Sequence, residues 1–186
     1  STSTILLLLD DKDNMVVNAA IAAAVNQRNA DATTKLVGLL TNPELLGSCV
    51  RALKKLGSSR AAPKLASLLR SSSESEVLLL LSALASCGTP AEYEAIQAML
   101  GSESAQVRQT TLLTLRQIAL RNQDKSLGEV FKSALGDSDV FVKLQAVLGI
   151  GEMAQEGSFD LLTAMFIDTP TSEDEILLDR HILEAI

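Results

Sequence analysis

The sequence predicts an all-α fold, a right-handed α-solenoid of stacked antiparallel helix pairs. Three observations carry that expectation. A unit of two helices recurs about every 31 residues, five times, with a partial copy at each end. Within each unit the apolar residues keep helical spacing. The cap and turn residues fall at matching places in each period.

The units run over approximately 10–40, 41–69, 70–100, 101–135 and 136–166, with partial copies at 1–9 and 167–186, in a single domain. The first apolar position of each first helix is Val16, Leu45, Glu76, Val107 or Val142, at spacings of 29, 31, 31 and 35. Twelve residues on lies the turn: Arg28, Gly57, Gly88, Ala119 and Ala154. The second helices end on Leu40, Leu69, Leu100, Leu135 and Phe166, and Leu9 stands one unit before Leu40. The chain therefore opens inside the second helix of an earlier copy.

Starts and stops agree with this period. Asn42-Pro43-Glu44 reads as an N-cap, a proline at the first helical position and an acid in the first turn. Gly101-Ser102-Glu103-Ser104 and Gly136-Asp137-Ser138-Asp139 join a helix-ending glycine to a following cap. Asp10 to Asn14, Ser71 to Ser75 and Thr169 to Ser172 fill the same slot elsewhere. The fourth unit carries four extra residues around Leu120-Arg121-Asn122-Gln123. Four residues make roughly one turn, so an extended first helix or a bulged connection is expected there.

The columns inside each unit form the buried stripe. Ala23, Ala52, Ala83, Thr114 and Gly149 are small, as expected where two helix backbones approach closely. Ala24, Leu53, Leu84, Leu115 and Ile150 follow, then Gln27, Leu56, Cys87, Ile118 and Met153. The second helices supply Leu36, Leu65, Ile96, Phe131 and Leu162, with Leu39, Leu68, Met99, Ala134 and Met165 three residues later. One repeat cannot bury such stripes alone, so each must stack on its neighbours.

This unit resembles the HEAT repeat, in particular the short HEAT-like repeats of phycobilisome-lyase-type proteins. Val107-Arg108 and Val142-Lys143 match the Val-Arg element, Leu56-Gly57 and Cys87-Gly88 the turn, and Asp137-Ser138-Asp139 the acidic lead-in. The resemblance spans essentially residues 1–186. It is specific for fold and weak for function, because such repeats serve many unrelated roles. Glu76 in the first apolar column and Arg28 at the turn depart from the pattern and read as drift.

Composition narrows the function classes. Hydrophobic residues make up 47% of the chain, but aromatics only 3% and tryptophan is absent. Alanine and leucine suit tight helix stacking, whereas a base-stacking nucleic-acid surface needs aromatics. The richest apolar run, Val77 to Cys87, is shorter than the roughly 20 residues of a spanning helix. The chain starts at Ser1 without Met and stops at Ile186 within an apparent helix, and is expected to be a piece of a longer protein. Cys49 and Cys87 occupy apolar columns and read as buried thiols in a reducing, cytoplasmic compartment. His181 is the single histidine, so paired His-Glu metal motifs are excluded, and no zinc cysteine cluster, phosphate loop or Gly-x-Ser-x-Gly occurs. No catalytic residue, metal or cofactor is expected.

Charge points to a partner class. Residues 1–70 hold nine Lys/Arg and five Asp/Glu, net +4, while residues 71–186 hold seven and eighteen, net −11. The acidic balance argues against a nucleic-acid-binding groove. In register, the second helices present Thr34, Pro63, Glu94, Glu129 and Asp160, and one turn on Val37, Ala66, Gln97, Lys132 and Thr163. With packed helices about 8–10 Å apart, the three carboxylates would form a ladder. By family resemblance the second helices line the concave face. Glu94, Gln97, Glu129, Lys132 and Asp160 are therefore the candidate groove for a basic segment of a partner protein. Lys35, Arg60 and Lys64 form a candidate basic patch in the first half. The plain alternative for both sets is a solvated, solubilising face. The leading expectation is a non-catalytic protein-interaction scaffold. A subunit of a chromophore-lyase-like enzyme, or a structural or regulatory domain of a larger, membrane-attached protein, are the alternatives.

Overall fold

The computed structural model describes residues 2–153, 158–165 and 172–185. Ala154, Phe166 and Thr169, landmarks of the sequence register, lie outside the described residues. The first helices of the five units are α2 (Asn14–Asn26), α4 (Pro43–Leu56), α6 (Glu74–Cys87), α8 (Ala105–Asn122) and α10 (Val140–Met153). The second helices are shorter: α3 (Thr33–Leu39), α5 (Ala62–Leu68), α7 (Tyr93–Gln97), α9 (Gly128–Ala134) and α11 (Ser158–Met165). The partial end copies supply α1 (Thr2–Leu8) and α12 (Glu173–Ala185). Single 3-10 turns lead into α3, α5 and α7, and no strand occurs among the described residues.

Contacts group the chain into two compact units, Ser1–Ala98 and Met99–Ile186. In the first, α2 packs on α1 and α4, and α4 on α6, so neighbouring first helices lie side by side. Each second helix also packs on the next first helix, α3 on α4 and α5 on α6. In the second unit α10 is the centre, packed by α8, α9 and α12. Stacking of this kind is what buries stripes that one repeat cannot bury alone.

The sequence columns are the core. Ala24, Leu53, Leu84, Leu115 and Ile150 are all buried, as are Leu36, Leu65, Ile96, Phe131 and Leu162 in the second helices. The second column of those helices differs from expectation. Leu39, Leu68, Met99 and Ala134 are only half-buried, and the next residues Leu40, Leu69 and Leu135 are buried instead. In α3, α5 and α9 the helix is so short that its last buried contact comes from the closing turn rather than from its regular part. In the first helices, Glu76 and Val16 are half-buried and the adjoining Val77 and Val17 take the buried place.

Glu76 is a cap rather than drift. The Ser73 backbone N–H and hydroxyl each donate to its carboxylate at 2.7 Å, satisfying a free donor at the start of α6. Those bonds hold its carboxyl below the usual carboxylate range. The other expected caps are also in place. Asn42 accepts from the Glu44 N–H at 3.0 Å, Asp139 from the Phe141 and Val142 N–H groups at 2.9 and 3.1 Å, and Ser172 from the Glu175 N–H at 3.2 Å. The same device explains a buried acid. Glu92 accepts from the Thr89 N–H at 2.8 Å and the Thr89 hydroxyl at 2.9 Å.

The four-residue insertion extends the first helix. α8 has 18 residues, where α4, α6 and α10 have 14. Its end shifts by one turn, to Gln123 at φ 53°. Gln123 N–H donates to the Leu120 carbonyl at 3.2 Å and Asp124 N–H to the Ala119 carbonyl at 2.9 Å. Arg28, at φ 48°, closes α2 in the same way, with Arg28 N–H on Val25 O at 3.0 Å and Asn29 N–H on Ala24 O at 2.9 Å. Both are left-handed helix closures that favour glycine, and Gly57 supplies one after α4 at φ 62°. Arg28 is exposed, and its left-handed backbone is strained by its Cβ. Arg28→Gly is expected to stabilise the protein by about 0.5–1 kcal/mol, because release of strain exceeds the added chain entropy. Urea unfolding of the variant checks this, and a loss of stability would refute it.

Candidate functional site

The second helices begin with acids in the second half of the chain. Glu94 in α7, Glu129 in α9 and Asp160 in α11 each stand in the first turn of their helix and are exposed. The preceding members of the column, Thr34 in α3 and Pro63 in α5, are exposed at the matching place. An acidic residue in the first turn is a common choice at a helix N-terminus, where the helix dipole points its positive end.

The candidates divide between the two compact units. Glu94 and Gln97 belong to the first, with Gln97 half-buried at the end of α7. Glu129, Lys132 and Asp160 belong to the second. Lys132 donates from Nζ to Glu129 Oε1 at 2.9 Å, three residues apart on α9. Lys132 is half-buried while the Glu129 side chain is 83% exposed. A pair so open to water adds little stability, and an incoming cation can replace Lys132 at small cost. Of the basic set, Lys35 is paired with Asp10, Arg60 is exposed in the 3-10 turn before α5, and Lys64 is half-buried within α5.

Two features escape the sequence columns. The first is an ion pair one repeat apart. Arg108 of α8 donates through Nε and Nη2 to the two oxygens of Asp137, both at 2.8 Å. Its Nη1 donates to the carbonyls of Ser102 and Glu103 at 2.9 and 3.0 Å. The two side chains are 15% and 14% exposed. Both residues belong to the Val-Arg and acidic elements of the repeat, and their 29-residue spacing was the available signal. The second feature is a groove between α2 and α4 that carries Arg51 and Lys55.

Reactive groups are subdued. Cys49 and Cys87 are buried, and burial pushes the Cys49 thiol up to about 11. A thiol held so high is protonated at neutral pH and is a poor nucleophile. His181 Nδ1 lies 2.9 Å from the Leu177 carbonyl of its own helix. Among the described residues no group of His, Cys, Asp and Glu is arranged to hold a metal ion, and no helix is long and apolar enough to cross a membrane.

No protein-family model matches the chain, and no curated protein matches its sequence. Solved structures do resemble it. A designed armadillo repeat protein in complex with peptide (KR)4 has a TM-score of 0.67 at 18% identity, covering 100% of this chain and 99% of that one. An engineered protein has a TM-score of 0.63 at 20% identity, covering 99% and 95%. The complex of CpcE and CpcF of phycocyanin lyase from Nostoc sp. PCC7120 has a TM-score of 0.52 at 16% identity, covering 100% and 82%. These likenesses show the fold, an all-α stack of armadillo/HEAT-like repeats, and the HEAT-like resemblance of the sequence stands at that level.

Proposed function

We propose that this chain is a non-catalytic protein-interaction scaffold that binds a basic segment of a partner protein through its second helices. The observation that carries the reading is the exposed carboxylate in the first turn of α7, α9 and α11. Glu94 with Gln97 would engage cations in the first unit, and Glu129 with Lys132 and Asp160 in the second. The designed armadillo protein that this chain resembles was solved with peptide (KR)4, which supports a cationic peptide as the ligand class. An acidic chain without tryptophan favours a protein over a nucleic acid as partner.

The test is fluorescence anisotropy with a labelled peptide of alternating Lys and Arg, against the wild type, Glu94→Lys, and the Glu129→Lys/Asp160→Lys double variant. Each variant is expected to weaken binding about tenfold or more, the double variant most, with helicity unchanged by circular dichroism. Equal affinity in all three would contradict the assignment of this face.

A lyase-subunit reading is favoured by the likeness to the CpcE–CpcF complex. It needs a reactive group that the buried cysteines do not offer, so a partner chain would have to supply it. Incubation with a bilin and an acceptor protein would decide it by absorbance.

A further inference from the structure

The groove between α2 and α4 joins an apolar floor to a polar rim. Ala22, Val25 and Ala52 form a small apolar floor, and Asn26, Arg51 and Lys55 line its rim, around a volume of about 260 Å³. The first-helix column that holds Ala22 and Arg51 continues as Ser82, Leu113 and Leu148. Alanine at 22 leaves open the space that a leucine would fill. Gly47 shapes the cationic side of the groove. A Cβ at Gly47 would lie 3.3 Å from Arg51 Nη1, so the guanidinium folds back over the bare glycine.

The neighbouring cation is turned away. Lys54 Nζ donates to Ser82 Oγ at 2.6 Å, on the α6 side of α4. Arg51 and Lys55, one helical turn apart, remain on the α2 side. Neither has an ion pair among the described residues, and both are exposed. Two unpaired cations beside an apolar floor fit a ligand with a carboxylate next to an aliphatic side chain. A phosphodiester would find no aromatic surface to stack on and would leave the apolar floor uncovered. The volume suits one or two side chains and is small for a cofactor.

We propose that this groove docks an acidic, aliphatic segment of a partner protein, with a carboxylate on Arg51 and Lys55 and a neighbouring Leu- or Val-type side chain on Ala22, Val25 and Ala52. The surface is separate from the second-helix carboxylates, prefers the opposite charge, and stands or falls independently of them.

The test is a titration of the isotope-labelled protein with an amphipathic peptide of alternating Glu and Leu, followed by amide NMR shifts. The expected result is saturable shifts centred on residues 18–26 and 48–55. They should be lost in Arg51→Glu/Lys55→Glu and retained in Lys12→Glu/Arg70→Glu, exposed positions outside the groove that leave the net charge equally altered. Ala22→Leu, which fills the floor without touching charge, should weaken binding about tenfold or more. Absent or unsaturable shifts, shifts centred elsewhere, or equal binding by the Arg51/Lys55 variant would overturn the proposal. So would tighter binding of a single-stranded oligonucleotide to the same residues, which would make the two cations a phosphate site.

Discussion

Gly149→Ala is expected to destabilise the protein by about 2–3 kcal/mol, although alanine is the better helix former by about 1 kcal/mol. The reason is the Phe131 ring of α9, which lies directly on the Gly149 backbone of α10. A Cβ at this position would be 2.3 Å from Phe131 Cδ1 and 2.5 Å from Cε1. The ring is fully buried, and close-packed interiors give a ring little room to swing aside, so α9 and α10 must separate. Overpacking of this kind exceeds the propensity gain. A double-mutant cycle with Phe131→Ala isolates the effect. Phe131→Ala alone should cost about 3–4 kcal/mol through the cavity it leaves. On that background, Gly149→Ala should become neutral or slightly stabilising. Urea unfolding of the four proteins gives the coupling, and additive costs would show that the ring is not what requires glycine.

Arg108→Ala is expected to cost about 2–3 kcal/mol at neutral pH. Removal of the guanidinium strips Asp137 of two charge-assisted bonds and the Ser102 and Glu103 carbonyls of their donor. The pair joins consecutive repeats, so its loss loosens the stacking rather than one helix alone. The pH dependence has a definite sign. The hydrogen bonds from Arg108 hold the Asp137 carboxyl below its ordinary value of 3.8. A depressed carboxyl contributes stability that is complete above the unfolded value and drains away as pH falls through the lower folded one. The gap between wild type and Arg108→Ala should therefore be flat above about pH 5 and shrink below about pH 4. A gap that grows on acidification would contradict this linkage.

Much of the fold was legible because its determinants are periodic. A helix needs an apolar stripe and a cap, and both recur with the repeat, so Leu53, Leu84 and Leu115 could be placed in the core from spacing alone. Even the insertion could be read, since four residues add one turn to α8 and move its closure from Ala119 to Gln123. What periodicity hid were the aperiodic solutions. Glu76 breaks the apolar column because it serves the cap of α6, which spacing cannot distinguish from drift. Gly149 shares its column with alanines, yet the atoms that crowd its absent side chain belong to one ring from another helix. The Arg108–Asp137 pair needs a carboxylate one repeat away to point back, which only tertiary structure decides. The carboxylates of α7, α9 and α11 were found by register because an exposed first-turn position repeats as faithfully as a buried one. Arg51 and Lys55 were missed because the space beside them comes from what alanine and glycine leave out.

The most direct test of the scaffold reading is amide hydrogen–deuterium exchange of the full chain with and without a saturating peptide of alternating Lys and Arg. Slowed exchange confined to the second helices, strongest around Glu94 in α7 and around Glu129 and Lys132 in α9, is the result this account predicts. Protection confined to the first helices, or no protection at a peptide concentration that saturates anisotropy, would contradict it.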